Sequence, residues 1–233
     1  MPMLEIIFQD EHLVIINKPH GLLVHRSKIA TNTDVYALQL LRDQIGKKVY
    51  PVHRLDRKTS GVLIFALSPE VNSLMQKQFA ANQVSKIYQA IIRGYTPESG
   101  TIDYALTNDN GKTQDAVTNF KTLQQTEIEV AHGKFTTSRY SLIEIHPQTG
   151  RFHQIRKHFA HLRHPIIGDR PHGCNKQNKL FKEQWNMITM MLHANRIEFN
   201  HPITNEPMLI NAPFHEEFMR TLDFLQFNSP TLQ

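Results

Sequence analysis

An α+β fold and a single domain are predicted for this 233-residue chain. Strand-like and helix-like runs are interspersed without the regular βαβ rhythm of a doubly wound sheet. The chain opens on two β-rich runs around a turn and closes on a helical one. No repeat, low-complexity stretch or linker interrupts it, so one domain over residues 1–233 is expected.

The elements follow in order. Residues 5–9 and 13–17 are β-rich and flank Asp10-Glu11, which predicts a hairpin. Val35, Leu38, Leu41 and Ile45 recur at helical spacing, with Asn32 or Thr33 as cap and Gly46 as stop. Val62-Leu63-Ile64-Phe65 reads as a strand. Ser68-Pro69-Glu70 starts a helix with proline in its first turn, and Val71, Leu74, Met75 and Phe79 form its apolar stripe. Residues 84–94 alternate as a strand, with Tyr88, Ala90 and Ile92 on one face. Residues 96–135 carry the weakest signal: turn formers at Asn108-Asp109-Asn110-Gly111, a strand at 115–120 and a polar run at Gln124-Gln125-Thr126. A further strand is expected at 139–146, then a turn at Pro147-Gln148-Thr149-Gly150. Ile155, Phe159 and Leu162 place a helix after Phe152 that stops before Pro165. Residues 191–199 read as a strand and 216–225 as the closing helix.

Hydrophobic residues make up 40% of the chain and charged residues 20%, an ordinary globular balance. No apolar run is long enough for a membrane-spanning helix, and the N-terminus lacks the basic region of a signal peptide. A cytoplasmic location without membrane association is the expectation. The one cysteine, Cys174, excludes an intramolecular disulfide and a multi-cysteine zinc site. His153, His158, His161 and His164 fall close together, but His153 lies off the face shared by His158 and His161, and no acid completes a metal set. Phosphate contacts or structural hydrogen bonds suit them better. There is no GxGxxG, Walker loop or HExxH, so no cofactor and no metal are expected. The net charge of +5 suits a polyanionic partner.

The densest chemistry lies in His53-Arg54-Leu55-Asp56-Arg57-Lys58-Thr59-Ser60-Gly61. An aspartate between two arginines precedes small turn formers and a strand, which puts Asp56 on a loop pinned by a rigid element. Local chemistry alone favours a turn carboxylate salt-bridged to a neighbouring arginine. The pattern HRLDxxTSG, however, resembles the active-site signature of the RluA-type pseudouridine synthases, in which the aspartate is catalytic. Other stretches resemble the family's motifs in the expected order: Asn17-Lys18-Pro19-His20-Gly21, Lys86-Ile87-Tyr88-Gln89-Ala90, Gly150-Arg151-Phe152-His153-Gln154-Ile155-Arg156-Lys157-His158, His164-Pro165-Ile166-Ile167-Gly168-Asp169 and Leu192-His193-Ala194. The resemblance runs from about residue 4 to about residue 222.

That resemblance implies a mixed, mostly antiparallel sheet with flanking helices and loops. It implies a catalytic domain without the N-terminal S4-type domain that some relatives carry. It assigns catalytic roles to Asp56, Tyr88 and Arg156: the carboxylate, a ring against the uracil, and a guanidinium that orients the carboxylate. It places substrate contacts at Arg54, Arg57, Lys18, His153, Gln154 and Ile155. Arg54 matches an arginine that can fill the space of a flipped base, although a plain phosphate contact explains it equally well. Asp56 could attack C1′ or remove the C2′ proton, and both routes stay open.

The implied partner is RNA, with no obligate protein partner. Leu23-Val24-His25-Arg26-Ser27, Arg42-Asp43-Gln44-Ile45-Gly46, Gly168-Asp169-Arg170-Pro171-His172-Gly173 and His201-Pro202-Ile203-Thr204-Asn205-Glu206-Pro207 resemble the branch that modifies uridine 65 in the T-stem of tRNA. The chain departs from that branch at Lys58, where proline is frequent, at Cys174, where an acid is usual, and in a shorter 96–135 segment. The rival readings are a ribosomal RNA synthase of the same family, a non-catalytic RNA-binding or ribosome-assembly protein, and a nucleoside hydrolase that would release free uracil.

Overall fold

The computed structural model describes residues 3–25, 35–131 and 133–228. The elements in chain order are β1 (Glu5–Gln9), β2 (Leu13–Lys18), α1 (Ala37–Ile45), β3 (Tyr50–Pro51), β4 (Ser60–Ala66), α2 (Pro69–Ala80), β5 (Ser85–Arg93) and β6 (Ser99–Asp103). There follow β7 (Leu106–Thr107), β8 (Thr113–Gln114), β9 (Val117–Ile128), β10 (Ser138–Pro147), α3 (Gln154–His161), α4 (Asn175–Trp185), β11 (Leu192–Asn200), β12 (Pro207–Asn211) and α5 (Glu216–Phe224). The α+β class is as expected. The described residues divide into two compact units, one within Met1–Lys86 and Ala194–Phe214, the other within Ile87–His193 and His215–Gln233.

In the first unit β1 and β2 form the expected antiparallel hairpin, and β2 pairs antiparallel with β4. Asp10 makes the turn: its Oδ1 accepts the backbone N–H groups of His12 and Leu13, each at 2.7 Å. β3 lies on β4, and β11 pairs antiparallel with β12. Every residue of β2 and of β4 is buried, in keeping with the apolar stretches 13–16 and 62–66 within them.

α2 covers one face of this sheet, with Val71 and Met75 packed into a cluster with Leu13, Ile15, Val62, Ile64 and Ile197. Burying each such side chain contributes roughly 1.5–3 kcal/mol. The Ser68 side chain caps α2 by accepting the Val71 N–H at 3.2 Å. Leu74, placed on the apolar stripe by spacing, stands at the exposed edge instead.

α1 departs further from expectation. Its N-cap is Tyr36, without a side-chain cap, and its buried face is Ala37, Leu40 and Leu41. Val35 precedes the helix and is exposed. The expected caps Asn32 and Thr33 lie outside the described residues. Gly46 ends α1 in the left-handed conformation, as expected.

The second unit orders four strands as β5-β10-β9-β6, and β10 pairs antiparallel with both β5 and β9. α3 packs Ile155 and Phe159 against Ala90, Ile92, Phe120, Ile143 and Ile145, with Tyr88 at the margin. β9 is far longer than the strand expected at 115–120. Its polar second half is held by the ladder with β10 and by Gln125, whose Nε2 donates to the Thr96 carbonyl at 2.7 Å. The stretch 108–111 turns the β7–β8 hairpin, with Asn108 Oδ1 accepting the Asn110 and Lys112 N–H groups at 3.0 Å.

α4 has no counterpart among the elements expected from the sequence. It buries Gln177 and Phe181. Phe181 meets Tyr140 edge-on, and Trp185 stacks on Phe224 of α5 at 4.5 Å. The Tyr140 hydroxyl donates to Gln177 Oε1 at 2.8 Å, and burial pushes its pKa up to about 12.

Gly61 has a close-packing role. Its φ is +107°, and a Cβ there would lie 2.2 Å from the Ala194 carbonyl oxygen of β11. Gly61→Ala is expected to cost about 2–4 kcal/mol, from backbone strain and the clash together. Gly46→Ala, at +65° with open space around it, should cost about 1–2 kcal/mol. Urea unfolding of the two variants checks the order, and equal losses would rule out the Ala194 contact as the cause.

His53 gives a pH prediction. The Ile64 N–H donates to its Nε2 at 3.2 Å, and the ring stacks on Phe79 at 5.2 Å. Desolvation, then the charge of Lys86, lowers its pKa to about 4, while a hydrogen bond to the Arg54 backbone opposes the shift. Between pH 6.5 and about 4 the unfolded chain takes up a proton that the folded chain refuses. Stability should therefore fall as pH falls through this window, by at most about 1.4 kcal/mol per pH unit from this group. His53→Gln, which can keep an acceptor near the Ile64 N–H, should flatten that part of a stability-against-pH curve.

Candidate active site

In the first unit Asp56 opens a tight turn in which the Thr59 N–H donates to the Asp56 carbonyl at 3.1 Å. β4 begins directly afterwards, so the carboxylate stands at the mouth of a fully buried strand, half-buried itself. Arg54 and Arg57, on either side, are exposed. Arg57 Nε donates to the Gly21 carbonyl at 2.9 Å, and the Gly21 N–H returns a bond of 2.9 Å to the Arg57 carbonyl. The charge of Arg54 adds to burial in holding the His25 pKa below its ordinary value, which puts Arg54 beside the 23–25 stretch. Arg26 and Ser27 of that stretch lie outside the described residues.

Lys18, expected at the substrate, ends β2 with 0% of its surface exposed. Its Nζ donates to the carbonyls of Pro19 at 3.0 Å, Leu22 at 2.9 Å and Arg57 at 3.2 Å. Burial pulls its pKa down to about 7, and the negative charge of Asp56 opposes that pull. The ammonium thus ties loop 19–22 to the turn that carries Asp56. Residue spacing carries no sign of this tie.

In the second unit Tyr88 stands on β5 opposite Ile145 of β10, half-buried, on the face shared with Ala90 and Ile92. α3 brings Arg156 into the interior. Arg156 Nε and Nη2 donate to Asp169 Oδ2 and Oδ1, both at 2.8 Å, with the side chains 4% and 1% exposed. This bidentate pair fixes the plane of the guanidinium. Asp169 falls within a family-like motif, but nothing in the sequence marks it as the partner of Arg156. Asn178 of α4 donates to the Asp169 carbonyl at 2.7 Å and accepts the Gly168 N–H at 2.9 Å, holding the acid in place.

His153 is the N-cap of α3 at φ +56°, a strained position for a non-glycine residue. Its ring lies 3.8 Å from that of Phe152, and its Nδ1 is 2.9 Å from His172 Nε2. Gln154 is buried: its amide donates to the Val117 carbonyl and Thr118 hydroxyl and accepts from the Thr149 hydroxyl and Arg151 N–H. Ile155 lies in the hydrophobic cluster. Both attach α3 to the sheet, and neither side chain is open to solvent.

The other histidines of the cluster have separate partners. His158 lies 3.0 Å from both the Thr118 hydroxyl and the Tyr104 carbonyl, His161 stacks on Tyr104 at 3.8 Å, and His164 lies 2.9 Å from the Arg93 carbonyl. Among the described residues no group of three His, Cys, Asp or Glu is arranged to hold a metal ion. No helix among them is long and apolar enough to cross a membrane.

Comparison with known proteins bears on this set of motifs. A family model described as RNA pseudouridylate synthase matches residues 12–161. A Vibrio vulnificus protein named tRNA pseudouridine synthase C is 45% identical, covering 99% of this chain and 98% of that one. A Vibrio cholerae protein of the same name is 47% identical over 92% of each. Among solved structures, human RNA pseudouridylate synthase domain containing 4 matches with a TM-score of 0.76 at 25% identity, covering 97% of this chain and 95% of that one. The chain belongs to the RNA pseudouridylate synthase family.

Proposed function

We propose that this enzyme isomerises uridine to pseudouridine in transfer RNA, at uridine 65 of the T-stem, in the cytoplasm and without a cofactor. The reading of tRNA rests on full-length likeness to relatives whose name specifies tRNA, matched over 98% of one of them. The observation that carries the chemistry is the turn at Asp56, a carboxylate at the head of a buried strand with the Lys18 ammonium behind it.

The reaction breaks the N1–C1′ bond and forms C5–C1′. The C5 proton leaves and N1 gains one, so the product is an isomer and no electrons are exchanged. Asp56 is assigned the carboxylate's role, by attack on C1′ or by removal of the C2′ proton. Either step requires the ionised form. The carbonyl bonds of Lys18 hold the turn still before substrate arrives. Tyr88 is assigned to the uracil ring and Arg156 to orienting the reacting carboxylate, with Asp169 setting the plane of its guanidinium. Arg54 and Arg57 are exposed beside Asp56 and suit the phosphates that flank the target or the gap left by its base. His153 is assigned a substrate contact at the head of α3.

Deleting the gene should remove one pseudouridine from the T-stem of tRNA and leave ribosomal RNA unchanged. Modification mapping of total RNA is the measurement, and loss from ribosomal RNA alone would refute the substrate assignment. Complementation with Asp56→Asn should restore nothing. The purified variant should bind tRNA normally and show a single-turnover rate at least about 10³-fold down, a barrier increase of about 4 kcal/mol. Substantial turnover by clean Asp56→Asn enzyme would remove Asp56 from the chemistry.

Arg156→Lys keeps the charge and loses the planar fork. It should slow the chemical step far more than it weakens RNA binding. A normal chemical rate with a salt slope shallower by about one unit would make Arg156 a phosphate contact instead.

A further inference from the structure

We propose that the cavity beside α4, whose walls share no residue with the Asp56 turn, docks the phosphate backbone of the substrate RNA. The inference rests on the assignment of an RNA substrate made above. The cavity has a volume of about 250 Å³, room for a phosphodiester group with bound water, and its walls include Arg170, Lys179, Lys182, Asn175 and Asn178. Among the described residues no carboxylate lines it. Three cations facing one hollow repel one another unless an anion is present, and mobile counterions gather there.

The chemistry of the walls favours a nucleic-acid backbone. The cations are spread over two segments, Arg170 before α4 and the lysines along it, an extended array that suits successive phosphates better than one enclosed anion. Lys176, Lys179 and Lys182 recur at every third residue of α4, and Lys176 and Lys179 stand in solvent. The acid beside them, Glu183, meets Lys179 at 3.7 Å with both side chains mostly in solvent, a pairing that an incoming phosphate displaces at little cost. Ile188, 58% exposed at the rim, supplies an apolar surface for a ribose. The Asn175 amide, on the wall, adds a hydrogen-bonding group that reads no sequence.

The position of the hollow gives docking a consequence. Asn178 is one of its walls and is bonded to Gly168 and Asp169. Asp169 in turn holds Arg156. RNA seated against α4 therefore rests on the scaffold that sets the plane of the Arg156 guanidinium. These residues recognise the backbone and not the target base, so the site contributes affinity and register, with no part in bond making.

The test uses the full-length protein and a tRNA transcript. Kd is measured between about 50 and 200 mM salt, alongside the single-turnover rate at saturating RNA. Lys179→Gln with Lys182→Gln should raise Kd about tenfold at the upper salt and make the salt slope shallower by about two, one for each phosphate no longer neutralised. The saturated chemical rate and the melting temperature should stay at wild-type values. Lys179→Arg with Lys182→Arg should keep both affinity and slope. A wild-type Kd and slope in the double glutamine variant would overturn the proposal. So would a lower chemical rate at unchanged Kd, which would mark the lysines as structural. If the wild-type enzyme binds tRNA with the lysine-dependent slope but leaves it unmodified, the substrate assignment fails and the docking site stands.

Discussion

A buried ammonium organises the unit that carries Asp56. Lys18 sits at the end of a strand with no exposed surface, where an unpaired charge would cost several kcal/mol. Its three protons meet three backbone carbonyls, from Pro19, Leu22 and Arg57, and the Asp56 charge lies close enough to raise its proton affinity against burial. Since Lys18 is part of β2, and β2 is paired along its length with β4, the site inherits the rigidity of the sheet. The Arg57 carbonyl belongs to the turn that precedes β4. The turn that carries Asp56 is therefore held at both ends, by its own strand and by the lysine of the neighbouring one.

A second buried charge plays the matching part in the other unit. Arg156 would be costly to bury alone, and Asp169 binds it along one edge with two bonds of equal length. The Asn178 amide holds the Gly168–Asp169 backbone in turn, and a Cβ at Gly168 would lie 1.9 Å from the Thr189 carbonyl oxygen, so only glycine allows that approach. Lys18 bridges chain segments through carbonyls, whereas Arg156 is set by a carboxylate. The difference suits their shapes, since a compact ammonium accepts scattered partners and a planar fork selects one oriented pair.

What could be read from the sequence follows from burial. β2 announced itself as a β-rich run, β4 as the apolar run Val62-Leu63-Ile64-Phe65, and α2 as a proline-started helix with an apolar stripe. The second half of β9 was hidden because Gln124, Gln125 and Thr126 stabilise it through the ladder and side-chain amides, with no apolar alternation. α4 was hidden because lysine and asparagine dominate it and its anchors, Phe181 and Trp185, are too few to make a stripe. For the site, HRLDxxTSG pointed to Asp56 through resemblance, while local chemistry favoured a simple turn. The burial of Lys18 and the pairing of Arg156 with Asp169 had no local signature. The Lys18 bond to the Arg57 carbonyl and the Arg156–Asp169 pair each join separate segments of the chain, which only the fold brings together.

The first unit is discontinuous in sequence, and this sets an order of events during synthesis. Residues up to Lys86 supply β1 to β4 with α1 and α2, but β11 and β12 come from Ala194–Phe214. At ordinary translation speeds the intervening stretch takes on the order of 5–20 s to make. During that interval Gly61 and the strand around it lack the Ala194 backbone against which they pack. A long apolar strand waiting with unpaired backbone groups is an adhesive edge. The nascent chain thus passes through a period in which the edge of β4 that later meets Ala194 is open, and it is that edge which a chaperone or the ribosome surface would protect.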